Sequence, residues 1–323
     1  MKFKTSAIAM AVAGSIAAPA AVQADVYASA RVGIWNVDEG GVSDLELRSF
    51  SSRFGAKGET DLGNGMTGYG RYEWDVDLND ETNTESLSVR HRYVGLKGDF
   101  GDIRMGQGAQ TWYNHVVGPI DLPWWHVGYA MISYTNRTDN ALTYSNSAGA
   151  VSFGITAYFT NLDTGEDAPD GMELGVTFPI GDLALGIGVK TTAEDDAGAG
   201  AAAAAATEAG SIGTDPDDSD DNIVGVALSG ISLGDASLAL MLQSQADDSS
   251  LTANLGIGNA YIHLESLSLD AADADVLGLT LGYTQSLGRN TTMYYEIWNL
   301  DADTGDSDDD KTHVMAVLKY DIL

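Results

Sequence analysis

The stretch Gln110-Thr111-Trp112-Tyr113-Asn114-His115-Val116-Val117-Gly118-Pro119-Ile120-Asp121-Leu122-Pro123-Trp124-Trp125-His126 breaks the pattern that the rest of the chain keeps. It lies in a span, Met105 to Thr143, that holds half of the six tryptophans and, ahead of Arg137, a single acid, Asp121. A connection of that length without regular structure is uncommon in a compact domain and is usually functional when it occurs. Its aromatic content predicts that it packs against something rather than standing in solvent. It reads as a loop folded into the lumen of a β-barrel, where it narrows a pore, with Trp112, Trp124 and Trp125 anchoring it to the wall.

Around it, strand after strand alternates with a period of two, apolar residues on one face and small or polar ones on the other. Val26, Ala28, Ala30, Val32 and Ile34 oppose Tyr27, Ser29, Arg31 and Gly33; Tyr72, Trp74 and Val76 oppose Arg71, Glu73 and Asp75. Met172 to Phe178, Leu183 to Val189, Leu238 to Leu242, Leu251 to Ile257 and Leu277 to Tyr283 repeat the pattern. In a soluble sandwich the apolar face is the core, whereas in a membrane barrel it meets lipid and the polar face lines water. Alternation alone does not choose between them.

The connections do choose. Short ones occur at Leu62 to Gly65, Asp99 to Gly101, Asn146 to Gly149, Pro179 to Gly181, Gly230 to Gly234, Gly258-Asn259 and Leu287 to Arg289. Long ones are expected near 36–49, 77–87, 109–138, 161–170, 191–221, 245–250, 266–275 and 299–311. Seven short turns and eight long loops predict sixteen strands, and short turns at one rim with long loops at the other is the plan of an outer-membrane barrel. The acidic runs, including Asp215 to Asp221 and Asp301 to Asp310, fall in the long loops.

The opening residues, Met1 to Ala24, join a basic start (Lys2, Lys4) to an apolar middle and a small-residue end, which predicts a secretory signal peptide cleaved after Ala24. The remaining domain, 25–323, carries no run of the roughly 18 to 20 apolar residues that a membrane helix needs, although membrane strands need only about 9–11. Cysteine is absent, so no disulfide framework supports the exported chain. A formal charge of −31 excludes nucleic acid as a partner, because phosphate binding takes clustered Lys and Arg. The sequence has no His-Glu-x-x-His and no phosphate loop; the five histidines are scattered, and the acids of Asp301 to Asp308 miss the EF-hand spacing. Neither an enzyme, a metal site nor a cofactor is expected.

Two segments carry a more specific signal. Ser52-Arg53-Phe54-Gly55-Ala56-Lys57-Gly58-Glu59-Thr60-Asp61-Leu62-Gly63-Asn64-Gly65 is followed by Tyr93-Val94-Gly95-Leu96-Lys97-Gly98-Asp99-Phe100-Gly101 and then Arg104-Met105-Gly106-Gln107. With Asp25-Val26-Tyr27 ahead of them and Arg137 to Tyr144 after the long loop, this order resembles the general trimeric porins of Gram-negative bacteria. The resemblance implies a homotrimer of sixteen-stranded barrels set in outer-membrane lipid and lipopolysaccharide, each with its third loop bent inward. It also implies arginines on the wall facing acids on that loop, here Arg53, Arg90 and Arg137, with Arg31 a further candidate, against Asp121. The family's loop often carries more than one carboxylate, and this one departs from it in offering Asp121 alone.

The function that follows is a passive, water-filled channel for small hydrophilic solutes and ions, selecting by width and by the charges around the constriction. Two alternatives stand beside it. A substrate-specific, sugar-type channel would use Trp112, Trp124 and Trp125 as an aromatic path, and a barrel plugged by the tryptophan-rich loop would serve adhesion or structure.

Overall fold

The alternating segments pair into a closed antiparallel barrel in a computed structural model that describes residues 23–39, 41–77, 87–134, 137–159, 169–191, 222–270, 274–303 and 310–322. β1 is Gln23–Glu39, and β2 is Val42–Ser49 and Ser52–Gly63, one strand interrupted at Phe50 and Ser51. β3 (Met66–Val76), β4 (Leu87–Gly98) and β5 (Gly101–Ala109) follow. After the long connection come β6, made of Arg137–Thr138 and Ala141–Ala148, and β7 (Val151–Tyr158). The next are β8 (Gly171–Ile180), β9 (Leu183–Lys190), β10 (Ile223–Leu233), β11 (Ala236–Gln245) and β12 (Asp248–Ile257). β13 (Ala260–Leu269), β14 (Ala274–Gly288), β15 (Thr291–Asp303) and β16 (Lys311–Asp321) complete the wall. Both segments of β2 pair with β1 and both segments of β6 pair with β5, so the described residues form the sixteen strands expected. β1 also pairs with β16, from Ser29↔Asp321 to Glu39↔Lys311, which closes the sheet.

The faces are inverted relative to a soluble protein. Val26, Tyr72, Val94, Leu174, Leu242 and Leu281 point outward and are exposed, whereas Glu73, Glu173, Lys190, Glu265 and Glu296 are buried on the inner side. An apolar belt of this kind is stable against hydrocarbon, and closure gives every ladder a partner where no water would supply one.

The seven short turns fall at 64–65, 99–100, 149–150, 181–182, 234–235, 258–259 and 289–290, all at one rim. Asn64 and Gly65, with φ of 53° and 74°, make the left-handed pair that a two-residue hairpin requires. At the other rim the sequence reading is corrected. Much of 36–49, 245–250, 266–275 and 299–311, expected as loop, is strand: β1 runs to Glu39, β2 starts at Val42, and Ala246-Asp247 is a two-residue turn. Above the lipid both faces of a strand meet water, so Asp38, Ser43, Asp44 and Glu46 carry loop-like polarity while Asp38↔Ser43 and Trp35↔Glu46 continue the ladder. The acidic segments at 80–81, 166–167, 194–196 and 215–221, together with residues 1–22 of the expected signal peptide, lie outside the described residues.

Candidate functional site

Between β5 and β6 the chain turns inward. Tyr113–Val117 forms one wide helical turn, Gly118–Ile120 a tighter one with Pro119 inside it, and residues 121–134 run on without repeating structure. Trp112, Val116, Val117, Ile120 and Met131 are fully buried in one cluster with Ile223 and Ala227 of β10, Met241 of β11 and Trp298 of β15. The wall makes room with glycine. A Cβ on Gly186 would overlap the His115 carbonyl oxygen, and one on Gly225 would sit 2.6 Å from both Trp112 Cη2 and Val116 Cγ1.

A loop without ladder partners must still satisfy its backbone donors, and here inward-pointing wall side chains do so. Glu173 on β8 accepts from Trp112 N at 2.7 Å. Glu265 on β13 accepts from the N–H groups of Gly128, Tyr129 and Ala130 at 2.5, 2.8 and 2.8 Å. Glu296 on β15 accepts from those of Trp124, Trp125 and His126 at 2.5, 3.1 and 3.1 Å, and its Oε2 lies 2.8 Å from His126 Nδ1. Gln243 on β11 pairs with both N–H and C=O of Ser133. These acids were not singled out from sequence. Their signal was a carboxylate at an inward position of an otherwise neutral strand, as in Gly171-Met172-Glu173-Leu174-Gly175.

The interruption in β2 builds the opposite side. Ser51 has a left-handed φ of 57°, and a bulge of this kind re-aims the side chains around it. Phe50 is thereby fully buried and meets Trp125 edge-on at 5.1 Å and Trp124 at 5.9 Å, and Trp124 stacks on Tyr294 at 4.4 Å. Ser51 Oγ accepts from Arg90 Nη1 at 2.7 Å and Arg53 Nη2 at 3.3 Å, and donates to Asp75 at 2.8 Å.

The structure thus brings Arg53 and Arg90 together, with Arg71, around Glu73. Glu73 is fully buried and lies 2.6 Å from Arg71, 3.0 Å from Arg90 and 3.8 Å from Arg53, and it accepts a hydrogen bond from Tyr27 Oη at 2.8 Å. Arg31 and Arg137 join the cluster at close enough range that each repels Arg90. Arg31 Cζ lies 5.9 Å from the Trp124 ring centroid, so the arginines run up to the loop. Asp121 accepts from Tyr113 Oη at 2.6 Å and from Tyr134. Burial first, and Asp121 second, push both phenols above their ordinary pKa.

One expectation is revised here. The acids bonded among the arginines are Glu73 and Asp75 on the same wall, whereas Asp121 is bonded to Tyr113 and Tyr134 on the loop. Sequence reasoning placed Arg71, Glu73 and Asp75 on the polar face but missed their role, because only the register of β2, β3 and β4 shows which arginines converge on Glu73. The three tryptophans are packed rather than aligned along an open path. The string Gly230-Ile231-Ser232-Leu233-Gly234 matches the letters of a hydrolase nucleophile motif, but Ser232 sits in an antiparallel ladder opposite Ser237, not at a strand-to-helix elbow.

A sheet closed inside-out around a clamped loop narrows the choice of relatives, and comparison with known proteins gives the same answer. The model of the Gram-negative porin family matches residues 5–305. Outer membrane protein F of Serratia marcescens is 31% identical over 148 residues, which are 40% of this chain and 39% of that protein. A monosaccharide porin of Halomonas is 31% identical over 119 residues, 32% of each. The chain therefore spans only about a third to two-fifths of the length of these relatives at matched positions. Among solved structures, the anion-selective porin from Comamonas acidovorans superposes with a TM-score of 0.66 at 17% identity, over 94% of this chain and 100% of that one. OmpT of Vibrio cholerae in its trimer form gives 0.67 at 16%, over 93% and 99%. These structures share the fold, and the family match, covering most of the sequence, identifies the chain as a member of the Gram-negative porins, β-barrels of the outer membrane.

Proposed function

We propose that the chain forms a water-filled channel through which small hydrophilic solutes and ions diffuse passively, without catalysis, metal or cofactor. The observation that carries this reading is the division of the lumen. One side is filled by the clamped loop, and the other presents Arg53, Arg71 and Arg90 with side chains still 17–29% exposed beside a fully buried Glu73. Arg31, Arg53, Arg90 and Arg137 line the constriction on the wall, Asp121 lines it on the loop, and Trp112, Trp124 and Trp125 hold the loop in place. Solutes are then selected by width and by this charge pattern. Trimeric relatives support assembly as a homotrimer in outer-membrane lipid and lipopolysaccharide, after removal of a signal peptide ending at Ala24. Burial of Trp112, stacking of Trp124 on Tyr294 and the edge-on packing of Trp125 against Phe50 count against the aromatic path that a tryptophan-guided sugar channel would need. Swelling of liposomes containing the purified protein tests the proposal. Entry rates of neutral solutes should fall smoothly with molecular size, and liposomes that admit none of them would contradict it.

A further inference from the structure

Below the arginines, toward the rim of short turns, the lumen wall holds an alcove of about 380 Å³ that the constriction does not use. Tyr69 and Tyr93 line it together with Lys57, Lys97, Glu59 and Asp102. All are in the inward phase of β2 to β5: Glu59 pairs with Tyr69, Arg71 with Tyr93, and Lys97 with Asp102. The outward phase of the same strands carries Tyr72, Val94 and Leu96.

Two features define what would fit. The first is an aromatic corner. The rings of Tyr69 and Tyr93 meet edge-to-face, with centroids 6.1 Å apart and planes at 73°, so they present two surfaces at nearly a right angle. Both rings are held. Tyr69 lies across Gly95, where any Cβ would overlap it, and donates to Asp102; Tyr93 packs on Gly108, with the Arg104 guanidinium 5.3 Å from its centroid. The second is a set of charges, Lys57 and Lys97 against Asp25, Glu59 and Asp102, in which each lysine is already paired. Lys97 Nζ lies 2.9 Å from Glu59 and Lys57 Nζ 3.9 Å from Asp25, with all four side chains well exposed. Such pairs keep unused donors on each ammonium and unused lone pairs on each carboxylate. An anion or a zwitterion would compete with these pairs, whereas neutral hydroxyl groups bridge donor and acceptor with the pairs intact. A flat face of C–H groups edged by hydroxyls matches an aromatic surface edged by carboxylates and ammonium groups, and the volume falls in the range of small-molecule sites.

We propose that this alcove is a weak binding site for a neutral, monosaccharide-sized polyhydroxylated ring, which rests a C–H face on Tyr69 or Tyr93 and bridges Lys97, Glu59 and Asp102 with its hydroxyls. The site lies on the solute path and so rests on the channel reading, whose substrate class it names. Its place is distinct from the tryptophans of the loop.

The test is titration calorimetry of the folded, detergent-solubilised protein with D-glucose and, separately, with glycine betaine as a zwitterion of similar bulk. Glucose binding should saturate in the millimolar range and betaine should give no saturable heat. Tyr69→Ala and Tyr93→Ala should each weaken glucose binding about three- to tenfold, the size of one aromatic contact. Tyr69→Phe, which keeps the ring and loses only the hydroxyl, should bind within about twofold of the parent. Should an alanine variant fail to fold, saturation-transfer NMR on the parent protein decides, with magnetisation passing from tyrosine ring protons to glucose C–H protons in the expected case. Absence of saturable glucose binding, equal affinity in folded alanine variants, tighter binding of betaine, or no transfer from tyrosine would overturn the proposal. The measurement needs no bilayer. Glucose binding in a protein without conductance would defeat only the channel reading, and conductance without glucose binding would defeat only this one.

Discussion

Replacing Glu296 with alanine separates a loop held by the wall from a loop held by its own turns. Glu296 is buried, and its carboxylate accepts from three consecutive backbone N–H groups, those of Trp124, Trp125 and His126, while a side-chain contact joins it to His126 Nδ1. Hydrogen bonds to a charged group contribute about 1.5–3 kcal/mol each, and stranding a buried donor costs a similar amount. Three donors taken independently would give about 4.5–9 kcal/mol, but they share one carboxylate and relax together, so roughly half, about 2–4.5 kcal/mol, is the reasonable expectation. At about 1.4 kcal/mol per factor of ten, the population in which segment 124–126 is undocked rises about thirtyfold to two-thousandfold. The barrel itself should persist, because Glu265 still holds residues 128–130 and the cluster around Trp112 is untouched. Single-channel recording reads the effect as added current noise, with heat-dependent gel migration as the control for folding. Glu296→Gln, which keeps one acceptor oxygen, should show a smaller increase. A folded Glu296→Ala channel as quiet as the parent would refute the clamp.

Other consequences follow from the same geometry. Gly225→Val places a Cβ 2.6 Å from Trp112 and Val116 and should weaken loop docking by about 1–3 kcal/mol, read as raised noise and increased protease cleavage within 110–134. His115, on the docked loop, has its pKa lowered by burial, so the undocked loop binds the extra proton. Docking is therefore complete above the ordinary histidine pKa of about 6.5 and weakens as pH falls below it, so noise should rise between about pH 7 and 5, and His115→Gln should flatten that dependence. The acidic runs of a chain with net charge −31 fall in the expected long loops, whereas the proposed constriction sets five arginines against Glu73, Asp75 and Asp121. Because the Debye length shrinks from about 8 Å at physiological salt to about 3 Å at 1 M, cation preference should weaken as salt rises. Reversal potentials at a fixed salt ratio check this, and a selectivity independent of absolute concentration would contradict it.

Much of this was legible in the sequence because a membrane strand reports its two faces residue by residue. Val26 to Ile34 and Leu277 to Tyr283 gave the phase of β1 and β14, and Asn64-Gly65 gave a turn, each from local chemistry alone. What was not legible depended on partners distant in the chain. Asp38, Asp44 and Glu46 look like loop because strands that rise out of lipid lose the apolar half of their pattern. Glu265 and Glu296 read as isolated inward acids, and only the docked loop, more than 130 residues away, shows that each collects three backbone donors. Phe50 and Ser51 gave no sign of a bulge, since the sequence before them reads as loop and the sequence after them as the start of a strand. The convergence of Arg53, Arg71 and Arg90 on Glu73 likewise follows from register across three strands and from the shape of that bulge.

The central claim, an open aqueous lumen narrowed by an inward loop, is tested most directly by single-channel conductance in a planar bilayer for the purified protein and for a variant lacking Gly118 to Trp125. The account predicts ohmic, stepwise currents for the parent and larger steps for the folded deletion. A silent bilayer, or equal conductance with and without those residues, would contradict it.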